Sequence, residues 1–231
     1  MVPPVTDWLG LTRNRVAAIE SLPDSFTLRD LRRLGLLVHE SQLPGVRLEI
    51  YYAPFDYVNE KAQLAIVGIT PGLQQMEIGL RQAQSALLEG LATREACQRA
   101  KQHASFAGRM RTNLVEMLDE LGLPPLLGPR STGDLFGDHC HLLHTTSAVR
   151  YPLFVNDANY TGHSPKLLRI PVLRGFVEHV LGPELRGLHH ALIVPLGRSV
   201  FGGPKGPDQS GLSRRGPLPP QFSPSLGNQW A

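Results

Sequence analysis

The sequence predicts an α/β fold: a three-layer α/β/α sandwich around a central, mostly parallel four-stranded sheet. Three observations predict it. Apolar runs of strand length recur at residues 64–69, 141–147 and 190–196. Stretches with helical spacing separate them, and parallel strands need crossovers of that kind. The first run also stops abruptly at Gly68-Ile-Thr-Pro-Gly72. A tight turn at the carboxyl end of a buried strand is where ligands sit in such sheets.

The elements follow in order. Residues 7–20 and 28–37 read as helices, with Thr27 as an N-cap and Gly35 near a stop. Val46-Arg-Leu-Glu-Ile-Tyr-Tyr52 alternates in polarity and reads as a strand leading into Ala53-Pro-Phe-Asp-Tyr57. Leu64 to Ile69 is the first buried strand. Helices are expected at 73–90, 93–103 and 105–121. In the last of these, Phe106, Met110, Leu114, Met117, Leu118 and Leu121 recur at helical spacing. Residues 122–137 are rich in Gly and Pro and read as a loop. His141 to Ser147 is the second core strand and Asn156 to Ser164 a polar loop. A helix runs from Lys166 to Val180, and His190 to Leu196 is the third core strand.

Composition narrows the function classes. With 231 residues, 42% of them apolar, the chain suits one large domain with a substantial core. A net charge of +3 permits an anionic partner without demanding one. No apolar run reaches membrane-spanning length, and the N-terminus lacks a secretory pattern. Cys97 and Cys140 are the only cysteines and read as free thiols of a reducing cytoplasm. No spacing among the nine histidines sets a metal site, and no cofactor is expected.

Residues 1–200 are expected to form the domain, and 201–231 a separate tail rich in Gly, Pro and Ser. Two readings of the tail stay open. One is a disordered basic extension. The other starts from Gln221-Phe-Ser-Pro-Ser-Leu-Gly227. With permitted codons, those bases read one position later encode Ser-Ser-Pro-His-Pro-Ser-Gly. On that reading the C-terminus is frameshifted, or its last strand has been replaced. The nucleotide sequence settles this.

The Gly68–Gly72 turn has chemistry of its own. Its glycines let a ligand approach the backbone, Pro71 stiffens it, and a helix N-terminus follows with N–H groups for anions. Together with Thr145-Thr-Ser-Ala-Val-Arg-Tyr-Pro152, the helix from Lys166 and the strand ending Val194-Pro-Leu-Gly197, it resembles the uracil-DNA glycosylase superfamily. The resemblance covers roughly residues 46 to 200. It implies hydrolysis of the bond between a flipped base and its deoxyribose in double-stranded DNA, by a monomer. The family's later His-Pro-Ser type motif is absent in the frame as it stands, although the shifted phrase would supply it.

The resemblance also implies site residues. Thr70 stands where the family usually places a water-positioning Asp or Asn. Asp157, in the polar loop, is the carboxylate candidate to assist it. Thr146 stands where an Asn commonly reads the base edge. One hydroxyl cannot reproduce the paired donor and acceptor of an amide, so Asn156 and Tyr160 are candidates to add an amide and a stacking surface. Gly68, Ile69, Pro71, Gly72 and Gln74 complete the expected base and DNA contacts.

Lacking the usual Asp and Asn, the pocket suits a bulky modified base, such as glucosylated hydroxymethylcytosine of phage DNA, better than uracil. Excision of uracil, or DNA binding without catalysis, are the alternatives. A small-molecule enzyme is disfavoured, because no Walker lysine and no full Gly-x-Gly-x-x-Gly follow the turn. Arg94, Arg99, Lys101, Arg109 and Arg111, or Lys166, Arg169 and Arg174, are expected to meet phosphates or to be solvated helix faces.

Overall fold

The computed structural model describes residues 4–197. The proposed tail and the frameshift reading lie outside them. The chain opens with a short 3-10 turn, Val5–Trp8, followed by α1 (Arg13–Glu20) and α2 (Leu28–Arg33). Thr27 caps α2 as expected: its side chain accepts from the Asp30 backbone, and the Asp30 carboxylate accepts from the Thr27 backbone. The helix is shorter than its sequence suggested. After Gly35, whose φ is +77°, the chain turns into a strand.

That strand, β1 (Leu37–Leu43), pairs antiparallel with β2 (Val46–Tyr51). Then β3 (Leu64–Gly68), buried throughout, runs into the turn and α3 (Leu73–Leu88). Two more helices follow, α4 (Thr93–Ala104) and α5 (Arg109–Glu120). The Gly/Pro-rich region expected as loop carries α6 (Pro124–Leu127) and a 3-10 turn at Thr132–Phe136. The strand β4 (Leu143–Ser147) comes next, then β5 (Leu153–Val155) and β6 (Ala158–Asn159).

The helix expected from Lys166 to Val180 is broken. A 3-10 turn precedes α7 (Pro171–Phe176), a π turn spans Val177–Leu181, and α8 (Gly182–Gly187) follows. Pro183 has no N–H to give to the preceding turn, and a π turn absorbs such a break. The last strand among the described residues is β7 (Leu192–Pro195).

Two sheets result rather than one. Strands β4, β3 and β7 form a parallel three-stranded sheet in that order. Strands β1, β2, β5 and β6 form a separate antiparallel sheet. The described residues are therefore mixed α/β, with three parallel core strands where four were expected. The segment Val46–Tyr52, expected as a strand, pairs with β1, a strand that the sequence reading did not expect.

The parallel sheet is covered on both faces. Leu64 and Ile66 point into one cluster with Phe106, Leu114, Leu118 and Leu135. Val67 points into the larger cluster with Met76, Leu80, Tyr151, Leu173 and Phe176. Each such side chain, fully buried, contributes about 1.5–3 kcal/mol of transfer free energy. No helix among the described residues is long and apolar enough to cross a membrane.

Candidate functional site

The parallel pairing of β3 and β4 runs past the strands. Gly68 sits opposite Ser147 in register. Beyond them the Ala148 N–H donates to the Gly68 carbonyl at 2.8 Å and the Val149 N–H to the Ile69 carbonyl at 2.9 Å. The turn after β3 and the segment after β4 are thus held side by side. They open on a cavity of about 470 Å³ at the carboxyl ends of these strands.

The cavity is lined by the whole Gly68–Gln75 turn, by Thr145, Thr146, Ser147 and Arg150, and by Asn159, Tyr160 and Thr161. Phe55, Lys101, Ser105, Phe106 and Met110 complete much of the wall. Gly68, Ile69, Thr70, Pro71, Gly72, Gln74, Thr146 and Tyr160 are therefore brought together. Phe55, Lys101, Ala104, Phe106, Thr145, Thr146, Arg150 and Tyr160 are among its buried members. Leu73 and Met110 lie at the mouth, 46% and 56% exposed.

Thr70 is a strut. Its hydroxyl donates to the Tyr151 carbonyl at 2.8 Å and accepts from the Leu153 N–H at 3.1 Å. The donor is spent, and one lone pair remains to face the cavity. The helix start is also partly spoken for. The Gly72 N–H donates to Gln75 Oε1 at 3.0 Å and the Leu73 N–H to Asn159 Oδ1 at 2.9 Å. Asn159 thus ties β6 to α3.

Asn156 and Asp157 are not among the lining residues. They form the two-residue turn between β5 and β6, with φ of +50° and +65°. Left-handed turns of this kind favour Asn and Asp. Asn156 Oδ1 accepts from the Arg47 N–H at 2.8 Å, and Asp157 pairs with the Arg47 guanidinium at 2.5 Å. The Asp157 side chain is 68% exposed. The structure thus places these two residues in a hairpin turn away from the cavity wall, and their type suits that turn. No carboxylate lines the cavity among the described residues.

Two features escaped the sequence reading. Phe106 belongs to the link between α4 and α5, with φ of +53°, and not to a helix stripe. Its ring packs against the strand end, where a Cβ on Gly68 would meet Ser147 Oγ at 3.3 Å and the Phe106 ring at 3.4 Å. Likewise, a Cβ on Gly79 would lie 2.7 Å from Phe55, so α3 admits that ring only through a glycine.

The second feature is a buried charged network beneath the floor. Glu184 of α8 accepts from His144 Nε2 at 2.6 Å and from Arg150 Nη2 at 2.7 Å. His144 Nδ1 accepts from the Asn59 N–H at 3.3 Å, so the ring is the neutral tautomer with its proton on Nε2. Burial, reinforced by Lys101, pushes the His144 pKa down to about 4. Burial alone would raise the Glu184 carboxyl; its hydrogen bond from His144 and the charges of Lys101 and Arg150 hold it well below the carboxylate range.

Lys101 of α4 donates to the Tyr57 carbonyl at 2.7 Å and lies 4.0 Å from Glu184. Asp56 lies 3.6 Å from Arg150 and accepts from the Tyr52 and Tyr151 hydroxyls. These residues are dispersed in sequence, and nothing in their local pattern marks them.

The basic residues divide. Arg99 pairs with Glu89. Arg111 donates to the carbonyls ending α4 and lies over Phe136. Arg94 lies over Tyr57. Arg109, beside Met110 at the mouth, Lys166 and Arg169 are exposed.

A protein of Bacillus subtilis (strain 168), the uncharacterized protein YoxB, is 37% identical over 191 residues, which cover 79% of this chain and 70% of the relative. No family model and no solved structure matches the chain.

Proposed function

The chain belongs to the family of Bacillus subtilis YoxB, and we propose that it is a DNA glycosylase. On this reading it flips a modified base out of double-stranded DNA and hydrolyses its N-glycosidic bond, leaving an abasic site. One observation carries the reading. The Thr70 turn and the segments at Thr145–Ser147 and Asn159–Thr161 face one another across a single open cavity. A base cannot be reached inside the stack, so an enzyme acting on it needs such a receptacle.

The lining supports the reading in detail. Phe55, Phe106 and Tyr160 supply faces on which a base stacks, while Thr145 and Ser147 are the hydroxyl candidates for its polar edge. The cavity falls within the roughly 300–1,000 Å³ of small-ligand pockets and has room beyond a bare pyrimidine. That favours a bulky base, and glucosylated hydroxymethylcytosine of phage DNA is the substrate proposed. Leu73 and Met110, apolar and exposed at the mouth, suit contact with bases left unpaired when one is extruded. Arg109, Lys166 and Arg169 are the candidates for phosphates.

With no carboxylate on the described wall, no side chain there serves as a strong base for water. The chemistry then relies on departure of the base with its bonding electrons. Thr70 orients water with its remaining lone pair, and water captures the cation-like sugar. The same reading includes a three-layer α/β/α sandwich with a four-stranded central sheet. It also includes a cytoplasmic protein acting on DNA as a monomer.

The test is incubation of the purified full chain with phage DNAs carrying glucosylated hydroxymethylcytosine, plain hydroxymethylcytosine or uracil. Liberated bases and abasic sites are then quantified. Release of the glucosylated base is expected. Release of uracil alone would replace the substrate assignment with a uracil-excising repair role, and binding without release from any DNA would replace catalysis with DNA binding.

A further inference from the structure

A second cavity, of about 460 Å³, adjoins the first: Lys101, Ser105 and Thr145 line both. It lies against α4, the start of β4 and the 3-10 turns before that strand. The face that α4 turns to it is polar. Ala96, Ala100 and Ala104 pack into the larger apolar cluster. Gln98, Lys101, Gln102 and Ser105, at helical spacing on a different face, line the second cavity instead. Gln63, Gln98 and Gln102 thus bring three carboxamides, each able to donate and to accept.

Two half-buried aromatic rings, Tyr57 and Phe136, also line it. Arg94 stands over Tyr57 at 5.0 Å and Arg111 over Phe136 at 4.5 Å, so a ligand meets the opposite face of each ring. No carboxylate lines this cavity among the described residues, and a cation finds no counter-charge on its wall. Of its lysines, Lys61 is exposed and Lys101 already has Glu184 at 4.0 Å. Neutral amides beside aromatic faces suit a neutral molecule with many hydroxyls and apolar C–H faces, which describes a hexose.

Resting on the glycosylase reading, we infer that the second cavity receives the hexose carried by the flipped base, while the pyrimidine ring occupies the first. At the junction the Ser105 hydroxyl donates to the Lys101 carbonyl at 2.6 Å. Its single proton is used there, so the 2.6 Å contact with the Thr145 hydroxyl is a bond that Thr145 donates. The partition at this point consists of two small side chains. The oxygen that links base to hexose can accept from Thr145 in place of Ser105. Selectivity then comes from hydrogen bonds to sugar hydroxyls, which a base without the sugar cannot make.

Single-turnover release is measured from duplexes carrying glucosylated or plain hydroxymethylcytosine, for wild type and for the double variant Gln98→Ala, Gln102→Ala. Alanine keeps the helix. The variant is expected to lower kcat/KM for the glucosylated base about tenfold, as befits one or two lost hydrogen bonds. Release of the plain base is expected to stay at its wild-type level. No loss on the glucosylated base, or an equal loss on both, would overturn the assignment and leave the glycosylase reading standing. A second arm needs no DNA. Cys140 lines the second cavity and is half-buried, whereas Cys97 is buried and its thiol is pushed up to about 12, chiefly by that burial. Alkylation of Cys140 by iodoacetamide is followed by mass spectrometry with methyl glucoside, with a glucose phosphate, or with neither. The glucoside is expected to slow it several-fold in wild type and not in the double variant. Protection by the phosphate alone would reassign the cavity to an anion, and protection by neither would sink the hexose site. If the glucoside protects but no DNA releases a base, the hexose site survives and the glycosylase reading fails.

Discussion

Thr70 illustrates what a single residue contributes. Its hydroxyl joins the β3–α3 turn to the chain after β4 through a donor bond to Tyr151 and an acceptor bond from Leu153. Valine has the same shape and neither function. Thr70→Val would leave a carbonyl and an N–H unpaired, and should lower unfolding stability by about 2 kcal/mol in urea titrations. Thr70→Ser should keep most of that stability. Equal stability of the valine and serine variants would show that the strut carries no weight. Thr70 was legible in the sequence because the Gly-Pro turn fixes where it sits. Asp157 was misread because a carboxylate in a polar loop looks the same whether it faces a ligand or sits in a hairpin turn. The left-handed backbone and the Arg47 pairing that decide between them are invisible before strand pairing is known.

At the scale of elements, what was legible is what local pattern determines. The buried run of β3, the capped start of α2 and the long α3 and α4 all follow from periodicity and capping. What was hidden depends on partners. The three-residue β5 and two-residue β6 are too short to show alternation, and they exist because β2 offers an edge to β5 and β5 one to β6. Leu37–Leu43 carries mixed polarity and becomes a strand by pairing with β2. Phe106 fits a helical stripe in sequence, yet α5 begins only at Arg109, after Gly108 turns the chain at φ of +79°. The cavity wall is built from these partner-dependent pieces, and this is why the turn was found and its surroundings were not.

At the scale of the whole molecule, a buried charge network joins β4, α4 and α8 through His144, Lys101 and Glu184. It makes a pH prediction. His144 has a folded pKa of about 4 against an ordinary 6.5. Between these values the unfolded chain binds the proton and the folded chain refuses it, so stability rises with pH and is lost as pH falls through that window. The lost stability should be about 3 kcal/mol. Glu184, held below its usual range, acts in the same direction at lower pH. His144→Gln keeps a donor for Glu184 but does not titrate, and its stability should be nearly flat between pH 6.5 and 4. A slope equal to wild type would place the titration elsewhere.

The central claim is that the cavity between the Thr70 turn and the Thr145–Tyr160 segments receives an extruded nucleotide. A crystal structure of the full chain on duplex DNA tests it most directly, using a glucosylated hydroxymethylcytosine whose 2′-fluorinated sugar resists hydrolysis. The account predicts the base turned out of the helix and stacked on Phe106 or Tyr160. A target base still paired in the duplex, with the protein docked through another face, would contradict it.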